Sequence, residues 1–163
     1  MTFQSSGTND CEYEIVEKYS SMVYKLAFAR TKNKSDAEDI FQEVFLTYIR
    51  RNPTFENEEH EKAWFIRVTI NCTKDLWSYN KKRMHEELDE NIPSLEENEE
   101  MLFEYLDKLP EDYRTIIHLF YYEDLPTGKI SQILKKKEST VRMALTRARR
   151  LLKEFMKGGE END

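Results

Sequence analysis

Between Ile130 and Arg142 the chain reads Ile-Ser-Gln-Ile-Leu-Lys-Lys-Lys-Glu-Ser-Thr-Val-Arg. A short run with apolar residues at helical spacing gives way to a polar turn, and a longer helix opens at Ser139 or Thr140. Two helices joined by so short a turn must cross and share one small core. This spacing is the helix-turn-helix pattern. It constrains the fold of the last third, Leu109 to Met156, more than any other feature, and it points to nucleic acid because such a second helix presents its opening turns to a groove.

The second helix supports that reading. At about 100° per residue, Val141, Ala144, Leu145, Ala148, Leu151, Leu152, Phe155 and Met156 share one arc that must pack on another helix. Arg142, Arg149, Arg150 and Lys153 lie together on the far side, with Arg147 at its edge. From Lys135 to Lys153 there are eight Lys or Arg and one acid, Glu138, in a chain of net charge -7. A basic face on an acidic chain suits phosphate, although a plain solvated face has the same composition. Met143 lies outside the apolar arc near the helix start. There an apolar tip suits a thymine methyl, and a tolerated surface methionine is the alternative.

Apolar residues elsewhere also recur at three and four rather than two, so the whole chain is predicted to be all-helical. No run approaches the ~20 apolar residues of a membrane span, and Met1 to Glu17 lacks the pattern of a signal peptide. The expectation is a cytoplasmic protein with no membrane insertion. Its two cysteines, Cys11 and Cys72, form no Cys-x-x-Cys pair, which fits a reducing compartment and argues against structural zinc. The histidines His60, His85 and His118 are scattered, and no Gly-rich phosphate loop, nucleophile elbow or metal motif is present. The reading is of a non-enzyme with no cofactor, no metal and no small-molecule substrate.

Glu86 to Glu100 holds eight acids, no base and a proline. Such a segment repels itself and reads as a flexible linker. It divides the chain into an N-terminal domain over 10–85, the linker over 86–100 and a C-terminal domain over 101–157. Gly158 to Asp163 reads as a frayed tail. Two small helical domains, the second carrying the helix-turn-helix, are the predicted fold.

Three helices are expected in the first domain, over Cys11–Arg30, from just after Ser35 to near Arg51, and over Glu59–Lys82. Ser35-Asp36-Ala37-Glu38 has the form of a capping box. On the second helix Ile40, Phe41, Val44, Phe45 and Tyr48 form the core arc. Asp36, Asp39, Gln42 and Glu43 lie opposite, with Leu46 projecting among them. An acidic face with one exposed leucine suits docking on a partner, and a merely solvated face is the alternative. On the third helix Trp64, Phe65, Val68, Cys72, Leu76 and Tyr79 form one apolar arc, and Ile66, Ile70 and Trp77 a second. Between them runs a polar strip in which Arg67, Lys74 and Lys81 recur with Asn71 and Ser78. From Lys62 to His85 there are six bases and one acid, Asp75. Bases beside aromatics suit a separated nucleic-acid strand, while Trp64, Phe65 and Trp77 could equally be core.

Four stretches, in order, resemble the extracytoplasmic-function sigma factors of bacterial RNA polymerase. Asp36 to Phe45 is similar to that family's polymerase-binding segment. Trp64-Phe65-Ile66-Arg67-Val68 with Asn71 and Asp75 resembles its promoter-melting helix. Leu109-Pro110 with Tyr113-Arg114 resembles the entry to its second domain. Thr140-Val141-Arg142 with Leu145 and Arg147-Ala148-Arg149 resembles its recognition helix. The resemblance implies a factor that binds core RNA polymerase and promoter DNA and directs initiation, commonly restrained by an anti-sigma factor. It implies that Asp36, Asp39, Gln42, Glu43 and Leu46 dock on polymerase. The loop and helix bearing Phe55, Asn57, Lys62, Arg67, Asn71, Lys74, Ser78 and Lys81 would handle the minus-ten element. Lys136, Lys137, Ser139, Thr140, Arg142, Met143, Arg147 and Arg150 would read the minus-thirty-five element. A stand-alone helix-turn-helix regulator and a helical adaptor that binds only protein are the other readings. The chain departs from the family's usual residues at Ser78 (often Arg), at Lys129-Ile130-Ser131 (Glu-Ile-Ala), at Lys135 (Gly), and at Met143-Ala144-Leu145 (Ser-Arg-Leu).

Overall fold

A computed structural model describes residues 2–83 and 106–161, with side chains from 12 to 79 and from 106 to 158. The acidic stretch 86–100 and the Lys81 side chain lie outside the described residues. All regular structure among the described residues is helical: α1 (Thr2–Thr31), α2 (Lys34–Arg51), α3 (Glu58–Arg83), α4 (Glu111–Tyr121), α5 (Thr127–Leu134) and α6 (Glu138–Glu161). The chain forms two compact units, Met1–Glu90 and Asn91–Asp163.

In the first unit α1, α2 and α3 pack on one another. Val23, Leu26, Ala27, Ala37, Val44, Phe65 and Ile66 are fully buried. Phe65 is the hub: Tyr19 stacks on it at 4.5 Å, and Phe45, Tyr48 and Trp64 approach it at 5.7, 5.5 and 4.9 Å. The two apolar arcs of α3 join on their inner side through Thr69 and Thr73, both fully buried. Their hydroxyls donate to the carbonyls of Phe65 (2.7 Å) and Ile70 (2.6 Å). That satisfies them where a bare hydroxyl would be costly. Arg30, 4 % exposed, crosses the same seam. Its Nε donates to Thr73 Oγ1 at 2.7 Å and its guanidinium lies 4.8 Å from the Trp77 ring. Trp77 is therefore occupied by the protein itself.

Three helix ends differ from expectation. α1 begins at Thr2, well upstream of Cys11; those first turns carry no apolar stripe, so periodicity could not reveal them. α2 is capped by Asn33 rather than at Ser35. Lys32 takes a left-handed φ of 57° and turns the chain, leaving Asn33 extended with its Oδ1 2.9 Å from the Asp36 N–H. Ser35 is already helical and cannot cap. α6 continues through the expected tail to Glu161. The other end of α2 matches expectation: Asn52 closes it in a left-handed conformation and Pro53 follows.

In the second unit Pro110 and Pro126 stand immediately before α4 and α5. Neither has a side chain that could cap, but a proline there lacks only an N–H the helix does not use. Arg114, 6 % exposed, donates from Nη1 to the Leu109 carbonyl at 3.1 Å and pins the entry to α4. Burial lowers its pKa from the ordinary arginine value. α5 ends on Lys135 in the left-handed region, φ 56°, ψ 45°, where an L residue without glycine's freedom stores about 1–2 kcal/mol. The core joins Ile116, Leu119, Ile130 and Ile133 to Val141, Ala144, Leu145 and Ala148 of α6. Beyond Ala148 the expected arc loses its cover. Leu151, Leu152 and Phe155 are only half-buried and Met156 is 43 % exposed. Leu106, Ile117 and Tyr121 line an open pocket with Leu152 and Met156, and Lys108 lies 5.7 Å from the Phe155 ring.

Candidate nucleic-acid interface

The exposed side of α6 follows directly from its buried side. Val141, Ala144, Leu145 and Ala148 face inward, and opposite them Ser139, Thr140, Met143, Arg147 and Arg150 face solvent. Met143 is 51 % exposed. Arg142 sits on the shoulder, its Nη2 3.5 Å from Glu138 Oε1. That same oxygen accepts the Thr127 hydroxyl at 3.0 Å, tying the first turn of α5 to the first turn of α6. Lys137 is exposed, and Lys136 pairs with Asp112 at 3.5 Å.

Arg149 does not join this face. Its Nε donates to the Tyr121 hydroxyl at 2.7 Å, and its guanidinium lies 5.4 and 5.5 Å from the Phe120 and Tyr121 rings. The basic residues grouped on a wheel thus separate into two sets. Arg147 and Arg150 point away from the core, while Arg149 braces α6 against α4. No local pattern could show this, because Tyr121 lies 28 residues away.

In the first unit Asn71, Lys74 and Ser78 are exposed along α3 and Arg67 is half-buried. The Arg67 Nε is buried with no hydrogen-bond partner among the described residues. Lys62 is half-buried. Phe55 lies edge-on to His60 (5.6 Å) and Trp64 (5.8 Å), and Trp64 is edge-on to Tyr48 at 6.0 Å. Asn57 is exposed and also caps the start of α3. Its Oδ1 accepts the His60 N–H at 2.9 Å and its carbonyl accepts the Glu61 N–H at 3.1 Å, so its acceptor oxygens cap α3. Further along the same turn, Glu61 accepts from the Tyr19 hydroxyl (2.6 Å) and from Lys18 Nζ (3.1 Å), fastening α3 to α1. Burial, followed by this bond, raises the Tyr19 pKa; the bonds to Glu58 and Glu61 raise that of Lys18.

On α2 Asp39, Gln42 and Glu43 are exposed and Asp36 is half-buried. Leu46 is 51 % exposed. Glu43 bonds Arg50 at 2.8 Å, which offsets part of the negative charge. Two members of this surface were not anticipated. Ile49, 50 % exposed, stands three residues after Leu46 on the same side, a spacing the wheel could have found. Asp75 and Asn71 of α3 line a groove of about 680 Å³ together with Asp39 and Glu43, so Asn71 borders the acidic surface as well as the basic strip. Cys72 also lines it; burial first, then Glu43 and Asp75, push its thiol up to about 11. Among the described residues no cluster of His, Cys, Asp or Glu could hold a metal ion, and no helix is long and apolar enough to cross a membrane.

Residues 15–83 match the family described as Sigma-70 region 2, and residues 99–152 match Sigma-70, region 4. RNA polymerase sigma factor SigV of Bacillus subtilis (strain 168) is 36 % identical over 137 residues, spanning 80 % of this chain and 81 % of SigV. ECF RNA polymerase sigma factor SigM of the same organism is 29 % identical over 161 residues, spanning 92 % and 98 %. In fold, the chain is similar to the sigma factor RpoE solved with the anti-sigma factor NepR from Bartonella quintana. The TM-score is 0.72 at 20 % identity, covering 91 % of this chain and 97 % of that one. CnrH, solved with the cytosolic domain of CnrY, gives a TM-score of 0.70 at 18 % identity, covering 94 % and 92 %.

Proposed function

The chain belongs to the extracytoplasmic-function sigma factors of RNA polymerase, and from that premise we propose how its residues divide the work of promoter recognition. A factor of this family directs initiation at particular promoters and carries no catalytic chemistry, which core polymerase supplies. The match of residues 15–83 to region 2 sets aside a stand-alone regulator, which needs no such domain.

We assign 10–85 to core polymerase binding and to minus-ten melting and recognition, 101–157 to minus-thirty-five recognition, and 86–100 to the acidic linker. Asp36, Asp39, Gln42, Glu43 and Leu46, joined by Ile49, form the polymerase-docking face. Phe55, Lys62, Arg67, Asn71, Lys74, Ser78 and Lys81 serve the minus-ten strand. Asn57 joins them through its amide nitrogen, its Oδ1 being held by the α3 cap. A base read in a pocket must first leave the stack, and the Phe55–Trp64 corner offers ring surfaces to receive it. Lys136, Lys137, Ser139, Thr140, Arg142, Met143, Arg147 and Arg150 meet the minus-thirty-five groove. The chain acts in the cytoplasm, where polymerase and promoter are. An anti-sigma protein binds it, as NepR is bound to RpoE in their complex.

The observation that carries this reading is the solvent face of α6. Five residues able to meet phosphate or base edges lie directly opposite its buried seam, at the end where a recognition helix enters the groove. A photo-crosslinking side chain placed at Met143, in holoenzyme on an active promoter, tests it. Crosslinks to the upstream element are expected. Crosslinks confined to polymerase subunits, or none to DNA, would overturn the groove assignment.

A further inference from the structure

α3 opens with a reciprocal cap. Asn57 Oδ1 accepts the His60 N–H at 2.9 Å, and His60 Nδ1 accepts the Glu56 N–H at 3.3 Å. In a capping box the cap residue and the residue three places on satisfy each other's orphan donors. Here an imidazole stands where Glu or Gln is usual, and it reaches one residue further back. The ring does a second job that a flexible amide would do poorly: it meets Phe55 edge-on at 5.6 Å, and Phe55 in turn meets Trp64 at 5.8 Å. The loop ahead of α3 is held by a hydrogen bond to its backbone and by a ring contact to its aromatic side chain.

Building on the minus-ten role proposed for this loop, we infer that His60 is a positioning residue for promoter opening. It touches no base. It holds Glu56 and Phe55 in the arrangement that receives the extruded base. Ordering the loop only when the base arrives would add an entropic cost at the moment the stack is broken. A preset loop avoids that cost.

The test uses holoenzyme formed with the full-length chain, comparing His60→Ala and His60→Gln, with Lys74→Ala as a probe of the minus-ten surface itself. His60→Ala is expected to lower open-complex formation about five-fold, the effect of losing one capping interaction. His60→Gln, whose amide oxygen can accept the Glu56 N–H, restores most of it. The Glu56 amide exchanges faster in His60→Ala than in wild type or His60→Gln, and affinity for core polymerase is unchanged. Equal impairment of both His60 variants overturns the capping role, as does a defect in core binding. Wild-type opening by His60→Ala alongside impaired Lys74→Ala overturns this inference and leaves the minus-ten assignment standing. Wild-type opening by both removes the two together.

Discussion

Leu46→Asp gives the docking face its most direct test. Leu46 is 51 % exposed, so a partner can hide about half of its side chain. Full burial of a leucine is worth about 1.5–3 kcal/mol, so the half still open is worth about 1 kcal/mol. The substitution also presses an unpartnered carboxylate into a surface fitted to an aliphatic group, beside Asp39 and Glu43, at a further cost of about 1–3 kcal/mol. The sum, about 2–4 kcal/mol, is a roughly 30- to 1000-fold rise in Kd for core polymerase. Folding is nearly indifferent to the change. The new carboxylate lies four residues before Arg50, which already bonds Glu43, and that spacing slightly favours the helix. Unfolding free energies should therefore agree to within about 0.5 kcal/mol. Leu46→Ala should cost only about five-fold, since it removes area without adding charge. The assay is a fluorescence titration of labelled factor with core enzyme. Wild-type affinity in Leu46→Asp would refute the docking face, and an affinity loss matched by an equal loss of stability would refute the argument from surface area.

Other expectations follow from the same structure. Lys135→Gly relieves a left-handed residue worth about 1–2 kcal/mol but adds about 0.5–1 kcal/mol of unfolded-chain entropy, so thermal melting should show a net gain of roughly 0.5–1 kcal/mol. Phe65→Ala removes the hub of the first unit and should cost about 3–5 kcal/mol in denaturant unfolding. Arg147→Ala should flatten the log-log salt dependence of holoenzyme binding to upstream-element DNA by about 0.9, one phosphate contact, while Arg149→Ala should leave that slope unchanged. In a Cys11→Ser background, Cys72 should react slowly with iodoacetamide at pH 7.5 and quickly once unfolded. The stability contributed by its neutral thiol is intact below the ordinary value of 9.0 and is lost as pH rises toward about 11.

The arcs of α2, α3 and the first half of α6 were legible because burial there follows a local period, and the period is written in residue type. What escaped the sequence depended on geometry between distant residues or on backbone angles. Thr69 and Thr73 look like surface residues, yet each finds a carbonyl one turn back and so can be buried. Asn33 and Ser35 are both good caps by type, and only the left-handed turn at Lys32 decides between them. Met156 belongs to the apolar arc by period, yet it borders an open pocket with Ile117 and Tyr121 and is 43 % exposed. Arg149 is the instructive residue of α6. It carries the right chemistry for DNA, yet its Nε is held by the Tyr121 hydroxyl of α4.

Reconstituted transcription on genomic DNA, with core polymerase and 5′-end mapping, tests most directly whether one chain reads a promoter through two separate surfaces. With this chain added, new start sites should share an upstream and a downstream sequence element. An Arg147→Ala, Arg150→Ala double variant should lose those starts on duplex DNA, yet still initiate on the same promoters premelted over the downstream element. Start sites that share no upstream element, or a double variant that initiates on duplex DNA as well as wild type, would contradict the account.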